Sequence, residues 1–142
     1  MRIALAIVVS LIWVQSTNGN FALAQSSMNR MLLGKWVFEW KDGNVDYIIF
    51  KKGATFDMYS YEIENNYYGH FHTSKDTIVM NCDSVRYTEG RGNVKETFKF
   101  VFSGTSLRQV YARYGMSNPI TSFDSTYSFH RAKMKDMKHK LE

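Results

Sequence analysis

His70 and His72 stand two residues apart, Cys82 is the only thiol, and Gly90-Arg91-Gly92 is a glycine-rich triplet in a chain of 142 residues. On a strand, imidazoles at that spacing face the same side, opposite Gly69 and Phe71. They would supply half of a tetrahedral zinc site, but no third ligand is evident, so the pair reads as an exposed outer-face couple and no metal site is expected. Cys82 follows Ile78 and Met80 at alternate positions, the setting of a buried inert thiol rather than a nucleophile. The triplet has no helix after it, so it reads as a flexible loop and not a phosphate cradle. The sequence contains no nucleophile elbow, Walker loop, His-Glu-x-x-His or Cys-x-x-Cys motif. No residue is assigned a catalytic role, no cofactor is implied, and a non-enzymatic function is expected.

The tyrosines carry more. Tyr61, Tyr67 and Tyr68 flank one connection, Tyr87 and Arg91 lie in another, and Tyr111, Arg113, Tyr114 and Met116 lead into a third. Tyrosine joins apolar area to one polar tip, which suits an amphipathic ligand or a protein partner. With Trp40 at the end of the first strand, the candidate ligand-binding set is Trp40, Tyr61, Tyr67, Tyr111, Arg113 and Tyr114. If the partner is a protein instead, the expected contact segments are residues 83–93 and 115–122.

These residues need a scaffold, and the apolar period defines one. Ser27 is placed to cap a single helical turn carrying Met28, Met31 and Leu32, which would act as a lid. From Leu33 onward the period is two, with strand-like runs at 33–40, 45–51, 55–63, 67–73, 77–82, 94–102, 106–114 and 123–131. Residues 83–93 read as a longer connection with room for a little strand around Val85 to Thr88. Turns are expected at Asp42-Gly43, Lys52-Gly53, Asn65-Asn66, Lys75-Asp76 and Ser103-Gly104. With no crossover helix between runs, a parallel sheet is excluded and an antiparallel meander is the simple topology.

If strands alternate up and down, the connections sort to two ends: tight turns at one, and 41–44, 64–66, 83–93 and 115–122 at the other. That predicts a cup open at its long loops. Trp36, Phe38 and Trp40, then Phe98, Phe100 and Phe102, then Tyr127 and Phe129 mark an inner face. In the second and third strands the face stays open: Tyr47 and Ile49 compete with Ile48 and Phe50, and Phe56 and Met58 with Tyr59 and Tyr61.

Leu33-Gly34-Lys35-Trp36 resembles the glycine-x-tryptophan signature of the lipocalins, and the wider pattern is similar to the compact bacterial lipocalin-like family of secreted proteins. Its further echoes are residues 49–56, Gly69-His70-Phe71, Asp76-Thr77-Ile78, residues 103–107 and Tyr127-Ser128-Phe129-His130-Arg131. The resemblance implies an eight-stranded antiparallel up-and-down barrel over 25–131, in which an arginine of the last strand, here Arg131, packs over Trp36. Gly34, Trp36 and Arg131 are therefore a structural signature. The short 41–44 turn and the brief C-terminal segment depart from the family pattern. An eight-stranded barrel either is filled by side chains or holds one small ligand, and ten Phe, nine Tyr and three Trp leave both open.

The ends of the chain address location. Arg2, the apolar run Ile3 to Val14 and Ala22-Leu23-Ala24 read as a signal peptide over 1–24, too short to span a bilayer. The product is expected to be exported, periplasmic or secreted, and soluble. Cys82 lies far from the cleavage site, so neither an intramolecular disulfide nor a lipid-modified first residue is expected. Residues 25–130 hold twelve Lys or Arg against eleven Asp or Glu, and 131–142 hold five against two. A nearly neutral body argues against nucleic acid, whose binding requires a basic stripe. In the 132–142 tail, Met134, Met137 and Leu141 have the spacing of a short helix.

Overall fold

A computed structural model describes residues 27–133 other than Thr88. The segment 1–24, expected to be a signal peptide, and the tail methionines lie outside the described residues. Eight strands run β1 Gly34–Glu39, β2 Val45–Lys51, β3 Thr55–Ser60, β4 Asn65–Ser74, β5 Thr77–Tyr87, β6 Gly90–Phe102, β7 Ser106–Arg113 and β8 Ser128–Arg131. Each pairs antiparallel with the next, and β1 pairs with β8 to close the barrel. The expected all-β, eight-stranded, up-and-down architecture is the observed one.

Within that frame, several expected boundaries move. Residues 83–93 are not a long connection: β5 and β6 pair as one hairpin, with Ser84 paired to Asn93 and Tyr87 to Gly90. The Asn65-Asn66 turn is also corrected, because both asparagines already pair in β4 and the reversal occupies 61–64, with Glu64 at a φ of 52°. Only the segment between β7 and β8, residues 114–127, remains long at the upper end. It contains one isolated bridge, Ala112 to Ile120.

The open question of face in β2 and β3 is decided by burial. Ile48, Phe50, Phe56 and Met58 are buried, and Tyr47 and Tyr59 stack outside with centroids 5.4 Å apart. At the lower end, Trp36 meets Phe102 edge-on at 5.9 Å, Phe50 meets Phe71 at 4.8 Å, and Phe100 meets Phe129 at 5.7 Å. Edge-to-face rings are the preferred aromatic packing, so the ring-rich strands fill this half of the barrel with side chains.

The helical turn at 27–32 seals the same end from below. Met28 and Leu32 join the core, and Thr73 donates its hydroxyl to Asn29 Oδ1 at 2.9 Å. The last carbonyls of a helix lack internal partners. Here they are taken up by the signature residues: Trp36 Nε1 donates to Leu32 O at 2.8 Å, and Arg131 donates to the Leu33 and Met31 carbonyls. Gly34 has a φ of 113°, and a Cβ there would come within 3.2 Å of the Arg131 guanidinium.

Candidate functional site

The upper half of the barrel is where polar groups enter the interior. Asp46 continues the inward series of Ile48 and Phe50 and is 1% exposed. Its carboxylate accepts the Tyr61 backbone N–H at 2.7 Å and the Tyr127 hydroxyl at 2.6 Å. One carboxylate thus ties the β3–β4 turn and the β7–β8 segment to β2. Burial, then the hydrogen bond to Asp46, pushes the Tyr127 pKa up, because ionising the phenol would place a second negative charge beside the first. Asp46 was not among the sequence candidates. Its position was readable only once the face of β2 was known.

Above Asp46 the rings form a band across the mouth. On one side, Trp40 lies 5.1 Å from Phe38 and 6.0 Å from Tyr127. On the other, Phe98 lies 5.7 Å from Tyr67 and 5.5 Å from Tyr114. Tyr67 is buried, and desolvation pushes its pKa up to about 12; Tyr114 is raised for the same reason.

Among the described residues, clefts open near this end of the barrel. A cleft of about 640 Å³ is lined by Phe38, Trp40, Asp42 and Asp124, with Glu39, Lys41 and Thr126. Trp40 Nε1 itself is buried, with no hydrogen-bond partner. Asp42 and Asp124 are held ionised, their pKa values lowered by hydrogen bonds from Asn44 and from Thr126. A second cleft, of about 490 Å³, opens where β7 ends and β6 continues upward, lined by Cys82, Glu96, Arg113 and Met116 among others. Glu96 faces inward opposite Cys82. Its Oε2 is buried and unpartnered.

Of the six sequence-selected residues, the structure brings Trp40, Tyr67 and Tyr114 into this band. Tyr61 sits at the rim, where the Asp42 carboxylate raises its pKa. Tyr111 and Arg113 stand on the outer wall instead, Tyr111 beneath the Lys99 ammonium at 4.7 Å. The cause is a β-bulge: Phe100 pairs with Gln109 but Lys99 pairs with Tyr111, so Val110 is extra and the parity of β7 inverts. A bulge changes which side chains face in. Gln109 and Ala112 are consequently both buried. Arg113 still reaches the second cleft from outside.

The remaining chemistry lies on the outer wall. His70 and His72 are both exposed, and His70 Nδ1 lies 2.8 Å from Asp83 Oδ2. No group of three or more potential metal ligands occurs among the described residues. Cys82 is buried, and burial raises its thiol pKa. No helix among the described residues is long and apolar enough to cross a membrane.

The fold and mouth define the protein as a closed eight-stranded antiparallel β-barrel with an aromatic upper end. Compared with protein-family models, curated proteins and solved structures, the chain finds no match.

Proposed function

We propose that this chain is an exported, non-enzymatic, lipocalin-like barrel that binds a small hydrophobic or amphipathic molecule at its upper end. The observation that carries the reading is the 640 Å³ cleft lined by Phe38 and Trp40 at the barrel mouth. Ligand pockets fall between about 300 and 1,000 Å³ and combine an apolar lining with a few placed polar groups. The lower half of the barrel is occupied by its own rings, so the ligand sits at the rim rather than deep in the barrel.

Native mass spectrometry of mature protein purified without detergent tests this. A small-molecule adduct that disappears in Trp40→Ala, with the barrel still folded by circular dichroism, supports it. Repeated absence of any adduct, with no quenching of tryptophan fluorescence by an amphiphile series, overturns it.

A second reading is a protein-interaction module, favoured by apolar residues left in solvent on the 114–127 segment. Met116 is 97% exposed, Ile120 46% and Tyr114 40%. Exposed apolar clusters of this kind mark partner surfaces. Binding of a protein that is lost in Met116→Ser with Ile120→Ser, while small-molecule binding is absent, selects this reading.

A further inference from the structure

We infer that the outer wall of β5, β6 and β7 is a docking surface for an acidic polysaccharide, a chain of repeating carboxylate or sulfate groups. The surface is independent of the Trp40 cleft at the mouth, whose lining lies on other parts of the chain.

The nearly neutral sum over residues 25–130 conceals an uneven distribution. Three consecutive strands carry Arg86, Arg91, Lys95, Lys99, Arg108 and Arg113, which is six of the twelve Lys and Arg in that range. The same strands hold two of its eleven carboxylates, Asp83 and Glu96. Glu96 is paired with Cys82 on the inner face, and Asp83 is engaged by His70 at 2.8 Å.

Alternation puts the cations outside. In the upper half of β6, Gly92 and Val94 are half-buried whereas Arg91, Asn93 and Lys95 are exposed. Lower down, Phe98 and Phe100 are buried, and Lys99 between them lies over the ring of Tyr111 on the outer wall. Cations therefore take every second outward position of β6, at 91, 95 and 99, a row about 26 Å long at the rise of a strand. Arg86 and Arg113 flank the row as cross-strand partners of Arg91 and Thr97, and Arg108 extends it opposite Val101.

The Arg86 to Arg91 pair sets the sign of the partner. Like charges directly opposite one another on a sheet face are destabilising. No carboxylate offsets them, because the ion pairs among the described residues are Lys51 with Asp57 and His70 with Asp83. Six cations without a carboxylate partner create a positive potential along one side of the barrel. Four of the six are arginines, whose planar fork binds oxyanions through two donors at once.

Two rings narrow the kind of polyanion. The Arg91 guanidinium lies 5.0 Å from the Tyr68 ring, and the Lys99 ammonium 4.7 Å from Tyr111. These contacts orient the cations and leave their charge intact. Single-stranded nucleic acid needs open aromatic faces on which bases stack, and both rings of the stripe already carry a cation. A peptide gains most by adding its backbone to a free sheet edge, whereas the stripe runs over the face of strands bonded to one another. Membrane insertion needs exposed apolar side chains. Of the exposed large hydrophobic residues, only Tyr87 at the upper end of β5 belongs to these strands. A chain that offers anions and hydroxyls, without bases or acyl tails, matches what remains.

Isothermal titration of the purified protein with polygalacturonate, dextran sulfate, neutral dextran, poly(dT) and poly-glutamate tests this, alongside co-sedimentation with phosphatidylglycerol vesicles. Both acidic polysaccharides are expected to bind and neutral dextran is not, with affinity falling more than about ten-fold between about 50 and about 200 mM salt. Arg91→Glu with Lys95→Glu, shown folded by circular dichroism, weakens binding by about ten-fold or more. Lys95→Gln with Arg113→Gln, a milder change, weakens it in the same direction. Arg30→Glu with Lys52→Glu alters net charge as much as the first pair but lies off the stripe, and it leaves binding nearly unchanged. Failure of both acidic polysaccharides to bind overturns the assignment, as do equal losses in the stripe and off-stripe glutamate pairs. Tighter binding of poly(dT), poly-glutamate or the vesicles overturns it in favour of that partner. Trp40→Ala keeps full polysaccharide binding while removing any small-molecule adduct; loss of both would merge the two sites and overturn their independence.

Discussion

The Arg131 guanidinium lies 4.9 Å from the Trp36 ring, and the two residues are Cα partners across the β1–β8 seam that closes the barrel. Arg131 also donates to the Met31 and Leu33 carbonyls, and Trp36 donates to Leu32. One pair therefore joins three things: first strand to last, barrel floor to helical turn, and a cation to an aromatic face.

Arg131→Ala is expected to destabilise the protein by about 2 kcal/mol, because the cation–π contact and two carbonyl hydrogen bonds go together. Arg131→Lys should recover less than half of that, since an ammonium cannot stack on the indole while spanning two carbonyls. Thermal denaturation followed by circular dichroism measures both. Equal stability of the Ala variant and the native protein would remove the seam role.

Gly69→Ala should be among the most damaging single-atom additions in the chain. A Cβ at Gly69 would lie 2.0 Å from the Asn81 carbonyl oxygen, at the β4–β5 bulge where two backbones approach closely. The backbone must shift, at a cost of about 3 kcal/mol. Chemical denaturation of G69A against G92A, whose added Cβ would meet only the Tyr87 and Val85 side chains, gives the comparison. A loss in G69A no larger than in G92A would contradict it.

Alkaline pH should unfold the barrel earlier than its charge alone suggests. The folded pKa values of Tyr67, Tyr114 and Tyr127, and of the Cys82 thiol, are raised mainly by burial. A group whose folded pKa exceeds its unfolded value contributes fully below the unfolded value and loses that contribution as pH rises through the folded one. Stability should thus begin to fall near pH 9 with the thiol and more steeply above about 10 with the phenols. Tyrosine absorbance at 295 nm should rise in step with loss of structure; phenolate formation well before unfolding would count against the buried positions.

The unpartnered Glu96 carboxylate should make the free protein less stable than it could be. Its folded pKa is raised by burial, so its contribution is best while it is protonated and worsens as pH climbs from about 4.5 through the folded value. Glu96→Gln is expected to raise Tm by roughly 3 °C at pH 7, with the gap closing below about pH 4. A gap independent of pH would assign the gain to packing instead of charge.

Particular residues show why the barrel was legible and part of its mouth was not. Trp36, Phe38, Phe98 and Phe100 each have a charged neighbour, Lys35, Glu39 or Lys99, which marks the opposite face as the outer one. Tyr47 and Ile49 are as apolar as Ile48 and Phe50, so β2 could not be oriented until its partners in β1 and β3 were known. The site residues split at the Val110 bulge: Tyr114 faces in, whereas Tyr111 and Arg113 face out. A one-residue insertion in pairing leaves no mark on composition or turn chemistry, yet it inverts every side chain beyond it.

The sequence by itself determined the class of fold, through period-two patterning, tight-turn chemistry and the lack of any crossover helix. It also placed Gly34, Trp36 and Arg131 together, because closing eight antiparallel strands brings the start of the first beside the end of the last. Only the tertiary structure decided what the aromatic residues do. Below Asp46 the rings pack against one another and fill the barrel; above it Phe38 and Trp40 line a cleft, and Tyr67, Phe98 and Tyr114 pack at the other side of the mouth. The division depends on which strands stop early and where a bulge falls, and those are properties of pairing between distant segments rather than of any one segment.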